Sequence, residues 1–219
     1  LGLANAVSAV LYVVCIFAIA ARCYRAPIVV TAIVVLLLIF SPQSAIGMSK
    51  NVHGYFEPST IGAVGLLAAF VFLAAGRYWG AALSIFVAAL FHLNYMVWAA
   101  VIFGAVVIFN WRRLGLRGSA LLLVPVVLAA AYHLPFFAAS WAPDQRAAYN
   151  EASRILHDVY MPGQSRPLTW GWEPFVRFGS ILAAGIVAWL AVRPERRPSR
   201  VILTLLGAIA AIVAAGMFF

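Results

Sequence analysis

Four histidines and six carboxylates are the side chains of this sequence that could act as bases or as metal ligands. The histidines are His53, His92, His133 and His157, and no two of them stand at the ligand spacing of a single helix. A metal site is therefore not expected. Phosphate-binding glycine loops, zinc-spaced cysteines and nucleophile elbows are also absent from the sequence. Any chemistry must come from groups that the fold collects from separate segments.

The composition indicates that lipid is the main solvent of the chain. Hydrophobic residues make up 65% of the 219 residues and charged residues 10%, against about 45–50% and about 25% in a typical globular domain. So few charges cannot cover the surface of a soluble fold of this size. The 15 basic residues lie in short clusters between apolar runs, as membrane topology requires, so nucleic acid is not expected as a partner.

Eight apolar runs without a charge predict eight transmembrane helices. A full crossing takes about 20 residues, and several of the runs, notably 79–93 and 95–110, are short. We therefore predict a hairpin bent at His92-Leu93-Asn94, with its arms shielded by neighbouring helices or by a thinned bilayer; a re-entrant pair is the alternative. The runs fall at about 1–21, 27–41, 61–76, 79–93, 95–110, 119–138, 179–192 and 201–219.

The predicted fold class is accordingly an all-α polytopic transmembrane bundle that forms a single domain over residues 1–219. Leu1 already lies inside an apolar run, so we expect the chain to be a fragment whose preceding residues are missing.

The charges divide between the two sides of this predicted bundle. If the first run ends inside, the inner loops carry ten arginines and one acid, whereas the outer segments carry five basic residues and five acids. The positive-inside rule then places the arginine-rich loops in the cytoplasm and all four histidines on the periplasmic or extracellular side. The many alanines, and arginine in place of lysine, favour a bacterial inner membrane. Outer loops must be polar in any case. The clustering of histidines and acids on the outer side is therefore consistent either with a functional site or with ordinary polar loops that face water.

The long outer segment 139–178 contains an apolar stripe at helical spacing. It predicts an amphipathic helix on the outer surface, starting near Pro143 and ending at Met161-Pro162-Gly163. Such a helix would serve as a lid or spacer, or would wall a substrate cleft. The stiff loop that follows carries Trp170 and Trp172, which suit either an aromatic belt at the head groups or a sugar-stacking platform with Arg166 as the anion ligand.

The outer segment 41–60 is the second polar insert. Ser59 or Thr60 precedes an apolar run and would cap the third span. Helix capping does not account for Lys50, His53 or Tyr55.

The order of short motifs from Gly54 to His92 resembles that of a known superfamily. The segment Gly54-Tyr55-Phe56-Glu57-Pro58-Ser59-Thr60-Ile61-Gly62 leads into an apolar helix that ends in Gly76-Arg77-Tyr78, and the next helix ends in Phe91-His92. This order is similar to the GT-C-like superfamily of bacterial polytopic proteins, the lipid-linked sugar transferases and their relatives. The likeness extends over residues 41–175, although Pro162-Gly163-Gln164 stands where such relatives often carry Pro-His-His.

The resemblance implies a glycosyltransferase-like bundle whose outward-facing cavity binds a polyprenyl-phosphate-linked sugar. In that superfamily the catalytic acid usually lies in the first outer loop, which a fragment would lack in part or whole. The remaining candidates for base or metal chemistry are Glu57, His157 and Asp158, and Arg166 is the candidate for phosphate. Further substrate-binding candidates are Lys50, His53, His92, Trp170 and Trp172.

Two functions other than catalysis are also considered. Small residues such as Ala68, Ala69 and Gly76 allow close helix contact, which favours a non-catalytic accessory subunit packed against other membrane subunits. A transporter is disfavoured because the predicted helix interiors contain no Asp, Glu, Lys or Arg.

Overall fold

The computed structural model describes residues 2–24, 26–40, 58–140 and 142–155, together with separate positions between 172 and 209. All regular structure in these residues is helical, which confirms the all-α class. The helices are α1 (Gly2–Cys23), α2 (Pro27–Phe40), α3 (Pro58–Ala74), α4 (Tyr78–Phe91), α5 (Leu93–Ser140) and α6 (Pro143–Ile155).

Helix α5 is broken into two arms at Gly115. This residue has φ 64° and ψ −179°, a left-handed conformation that glycine adopts at little cost. A straight helix of 48 residues would be about 72 Å long and would carry His133 about 60 Å from its start. Instead, His133 Nε2 lies 3.1 Å from the carbonyl oxygen of Ala89, just before α5 begins. The chain therefore reverses at Gly115, between a first arm (93–114) and a second arm (116–140).

Helices α3 and α4 and the two arms of α5 form an antiparallel bundle with two distinct ends. At one end, residues from α3, α4 and both arms of α5 line a common groove: Phe72, Tyr78, Leu114 and Arg117. We call this the arginine end, because Arg77 and Arg117 both line that groove.

At the opposite end of the bundle, the start of α3 meets the start of α5. A Cβ atom placed on Gly62 would lie 2.9 Å from Cγ of Tyr95. The contact between Ala89 and His133 belongs to the same end, and so does His92, which separates α4 from α5. We call it the histidine end.

The bend predicted at His92-Leu93-Asn94 is confirmed. Helix α4 ends at Phe91, His92 has the extended conformation φ −152° and ψ 121°, and α5 begins at Leu93. Because α4 starts at the arginine end, where the first arm of α5 finishes, these two helices run antiparallel.

Small residues let α3 and α4 approach each other closely. A Cβ atom on Gly65 would lie 3.0 Å from the Ser84 carbonyl oxygen and 3.1 Å from the Ala88 nitrogen. Ala69, which the sequence offered as a contact for foreign subunits, is 0% exposed inside the chain's own core. Helix α4 lies at the centre of the bundle, and its buried residues recur at helical spacing: Ala81, Ala82, Ile85, Ala88 and Ala89.

The outward faces of the helices are strongly apolar. Leu3 is 80% exposed, Ile28 73%, Ile108 74% and Leu116 76%. The stretch Leu93–Pro135, which contains the break at Gly115, is long and apolar enough to cross a membrane by length and composition. Shorter apolar helices lie within α1 to α4. Apolar side chains facing outward along these helices associate the chain with a membrane.

Helix α6 begins at Pro143, as its sequence predicts. Its stripe residues Ala148, Ala152 and Ile155 are exposed, and so is Tyr149 at 57%. The helix is therefore amphipathic, with an apolar stripe that the described part of the bundle leaves uncovered.

Candidate functional site

Of the site residues that the sequence suggests, the structure describes His92 and Trp172. The remaining candidates lie outside the described residues, so their roles stay predictions. They are Lys50, His53, Glu57, His157, Asp158, Arg166 and Trp170.

His92 is half-buried at the junction of α4 and α5. Its ring meets that of Tyr95 edge-on, with the ring centroids 5.3 Å apart and the planes at 76°. Tyr95 in turn covers Gly62 at the start of α3. This pair of rings therefore joins three helices at the histidine end, and its imidazole is the part of the candidate site that the structure defines.

His133 has a structural role at the same end. The last carbonyl groups of a helix have no N–H partner within that helix, and the extended His92 prevents a further turn of α4. His133 Nε2 lies 3.1 Å from the Ala89 carbonyl oxygen. Because a carbonyl can only accept, Nε2 must carry the proton and donate it. This N–H thereby satisfies one of the carbonyl groups at the end of α4.

Thr60 does not cap α3, contrary to one of the two capping alternatives. The helix begins at Pro58, so Thr60 already lies within its first turn. Its hydroxyl oxygen is buried and makes no hydrogen bond within the described part of the chain. Thr60 thus brings an unsatisfied hydroxyl to the histidine end, two residues before Gly62.

Trp172 is helical and 73% exposed. An aromatic belt and a sugar-stacking platform both require an exposed ring, so both interpretations of this tryptophan stay open.

Asn110, which is not among the candidates that the sequence suggests, is 4% exposed near the end of the first arm. Its amide nitrogen donates to the Val106 carbonyl at 3.0 Å and to the Thr204 hydroxyl at 3.1 Å. This bond ties the C-terminal part of the chain to the bundle, as polar pairs between membrane helices do. The signal in the sequence is an uncharged polar residue that closes an apolar run.

The exposed face of α6 carries an ion pair between Glu151 and Arg154. Arg154 donates from Nε to Oε2 at 2.9 Å and from Nη2 to Oε1 at 2.7 Å. The hydrogen bonds from the Arg154 guanidinium lower the pKa of the Glu151 carboxyl. Because the pair is exposed, it contributes little to stability.

The bundle topology relates the two polar segments that carry most of the candidates. Segment 41–57 leads into α3, which starts at the histidine end. The second arm of α5 finishes at that same end, and α6 and then residues 156–171 follow it in the sequence. The start of α3 and the end of the second arm therefore lie at one end of the bundle, whereas segments 41–57 and 156–171 themselves lie outside the described residues. Among the described residues, no group of three or more His, Cys, Asp or Glu could hold a metal ion.

These observations define a membrane-associated helical protein with a polar end and an arginine-lined end. No protein-family model, no curated protein and no solved structure matches the chain.

Proposed function

We propose that the chain is a multi-pass inner-membrane protein of eight spans, with the arginine end in the cytoplasm and the histidine end outside. The two arms of α5, about 33 Å and 37 Å long, match a hydrocarbon core of about 30 Å. Helix α4, with 14 residues, is only about 21 Å long. Its central position supports its inclusion as a span, because Ala81, Ile85 and Ala88 are each 0% exposed and other helices shield it from lipid.

The function that we propose for the histidine end is binding of a polyprenyl-phosphate-linked sugar, in a glycosyltransferase-like reaction at the outer leaflet. One observation carries this proposal: the start of α3, which follows segment 41–57 in the sequence, and the end of α5, which precedes α6 and segment 156–171, lie at the same end of the bundle. In this proposal the predicted carboxylates and cations of the two segments lie on that side of the membrane. A carboxylate there would activate the acceptor, and cations would hold the leaving phosphate.

Within this site we assign roles by the chemistry of each side chain. Glu57, His157 and Asp158 are the candidates for activating the acceptor, and Lys50 and Arg166 for holding the phosphate. His53 and His92 would bind the head group, and Trp170 and Trp172 would stack against the sugar.

Binding of polyprenyl monophosphate to the purified full chain in detergent tests the proposal. We expect saturable binding that exceeds binding of the uncharged polyprenol. Arg166→Gln should lower the affinity for polyprenyl monophosphate by about tenfold or more, because it removes a charge-assisted hydrogen bond.

Arg154→Gln is the matched control, because it removes the same charge from α6 at an exposed ion pair. Its affinity should equal that of the wild type. Equal affinity for the phosphate and the alcohol, or equal losses in the two arginine variants, would refute a phosphate site at this end.

The accessory-subunit alternative is supported by the uncovered apolar stripe of α6. If the stripe binds another membrane subunit, the chain should migrate in a larger complex on native gels. Ala148→Glu should then release it, while Asn150→Glu, on the opposite face of the same helix, should not.

A further inference from the structure

A groove of about 620 Å³ opens at the arginine end of the bundle. It lies where the turn between α3 and α4 meets the break in α5. The groove has a charged and an apolar part, and neither is used by the function proposed for the opposite end. Its lining includes Phe72, Arg77, Trp79, Leu114, Arg117 and Leu121.

Two arginines from different helices supply the charge of this groove. Arg77 precedes α4, and Arg117 lies in the first turn of the second arm. Both are exposed, and neither guanidinium has an ion-pair or hydrogen-bond partner within the part of the chain that the structure describes. Residues 58–140 contain no Asp or Glu. The positive charge at this end is therefore uncompensated by α3, α4 or α5.

The backbone adds hydrogen-bond donors beside these cations. No side chain caps the start of α4, and residues 78–80 of its first turn line the groove. The N–H groups of that turn have no acceptor within the helix. Gly76 leaves backbone open to the groove, because no atom lies within 4 Å of where its Cβ would stand and its positive φ of 68° makes a side chain there unfavourable. An anion can therefore approach the backbone as well as the guanidinium groups.

The rest of the lining is apolar and suits hydrocarbon. Phe72, Leu114 and Leu121 face the same space as the arginines, and Trp79 is 68% exposed beside them. An exposed tryptophan next to arginines is typical of the level of the lipid head groups. A free anion would gain nothing from these apolar walls, whereas a lipid would use both parts of the groove.

We propose that this groove binds one anionic phospholipid, with its phosphate between Arg77 and Arg117 and an acyl chain along the apolar wall. Charge complementarity selects the phosphate, and the apolar lining selects a lipid over inorganic phosphate. Basic pockets between membrane helices bind such head groups by the same physics. The inference does not rest on the proposed function, which concerns the histidine end.

The experiment uses the full chain in nanodiscs of phosphatidylcholine with increasing phosphatidylglycerol, and native mass spectrometry to count the lipids retained after release. The wild type should retain phosphatidylglycerol saturably, with a preference over phosphatidylcholine. Each arginine removed from the groove should cost about fivefold in affinity, so the double variant Arg77→Gln, Arg117→Gln should lose about 25-fold.

A matched double variant, Arg112→Gln with Arg113→Gln, removes two exposed charges from the same end without touching the groove lining. It should keep most of the affinity. Equal losses of affinity in the two double variants would show that the lipid is attracted by the overall positive charge of this end and not by the groove, and would overturn the proposal.

Two further arms complete the test. Inorganic phosphate added to the wild type should not displace the lipid; full displacement would show that the groove takes free phosphate. If the glutamine variant does not fold, Arg77→Lys with Arg117→Lys keeps the charge and loses the bidentate geometry. This variant should bind phosphatidylglycerol measurably more weakly than the wild type does. Unchanged binding would overturn the assigned contacts between the two arginines and the phosphate.

Discussion

Adding the same methyl group at two glycines of the bundle should have opposite effects on stability. A Cβ atom at Gly65 would lie 3.0 Å from Ala88 Cβ and from the Ser84 carbonyl oxygen. Ordinary contacts begin near 3.4 Å, so α3 and α4 would have to separate by a few tenths of an ångström. At Gly104, in the first arm of α5, no atom lies within 4 Å of such a Cβ.

The magnitude follows from two terms. Replacing glycine by alanine inside a helix stabilises by about 0.5–1 kcal/mol at both positions. The clash with the α4 backbone at Gly65 costs about 1–3 kcal/mol, because backbone atoms cannot rotate away. Gly104→Ala should therefore raise the free energy of unfolding and Gly65→Ala should lower it. The difference between the two variants, about 1–3 kcal/mol, isolates the clash.

The assay is reversible unfolding of the purified chain in mixed micelles, titrated with a denaturing detergent and followed by circular dichroism. Since both variants receive one methyl group in a helix, changes in helix propensity and in detergent binding cancel in the comparison. Equal stabilities, or a Gly65→Ala variant more stable than the Gly104→Ala variant, would refute the close approach of α3 and α4.

Three other perturbations test separate features. Gly115→Ala should destabilise by about 1–2 kcal/mol in the same unfolding assay, because alanine is strained at positive φ; a neutral effect would contradict the break in α5. In a background without the native cysteines, a membrane-impermeant maleimide applied to whole cells should label Asn150→Cys and not Leu116→Cys, and the reverse result would invert the proposed topology. Arg154→Gln should raise the pKa of Glu151 towards its usual value in an NMR titration. The small contribution of the ion pair to folding stability is present above the usual pKa of a glutamate and is lost as the pH falls through the lowered pKa of Glu151. An unchanged titration of Glu151 in the variant would contradict the ion pair.

The positions of the helix breaks at the arginine end and the histidine end were predictable from the sequence. The bend at His92, the start of α6 at Pro143 and a break between the runs 95–110 and 119–138, which the structure places at Gly115, all follow from local signals, namely the length of an apolar run, a proline or a charge. These signals act over a few residues and need no knowledge of distant segments. The prediction of a cap at Thr60 was wrong because α3 extends to Pro58, and cap positions are sensitive to shifts of one or two residues.

For the candidate site, the sequence predicts only on which side of the molecule the residues lie, and not how they are arranged. The sequence grouped four histidines on one side, yet it could not distinguish His133, which caps α4, from His92, which packs on Tyr95. That distinction depends on where Ala89 lies, 44 residues away from His133 in the chain. The partner of Asn110 could not be predicted for the same reason, since Thr204 is 94 residues away.

By itself, the sequence determined the apolar character of this protein and the location of the helices that the structure describes between residues 2 and 155, because the transfer of apolar side chains from water is an additive property of the residues present. Only the tertiary structure decided which small residues touch, which polar groups find partners and which arginines share a groove. Those outcomes depend on contacts between helices remote in the chain, where a shift of a few tenths of an ångström at Gly65 already changes the free energy.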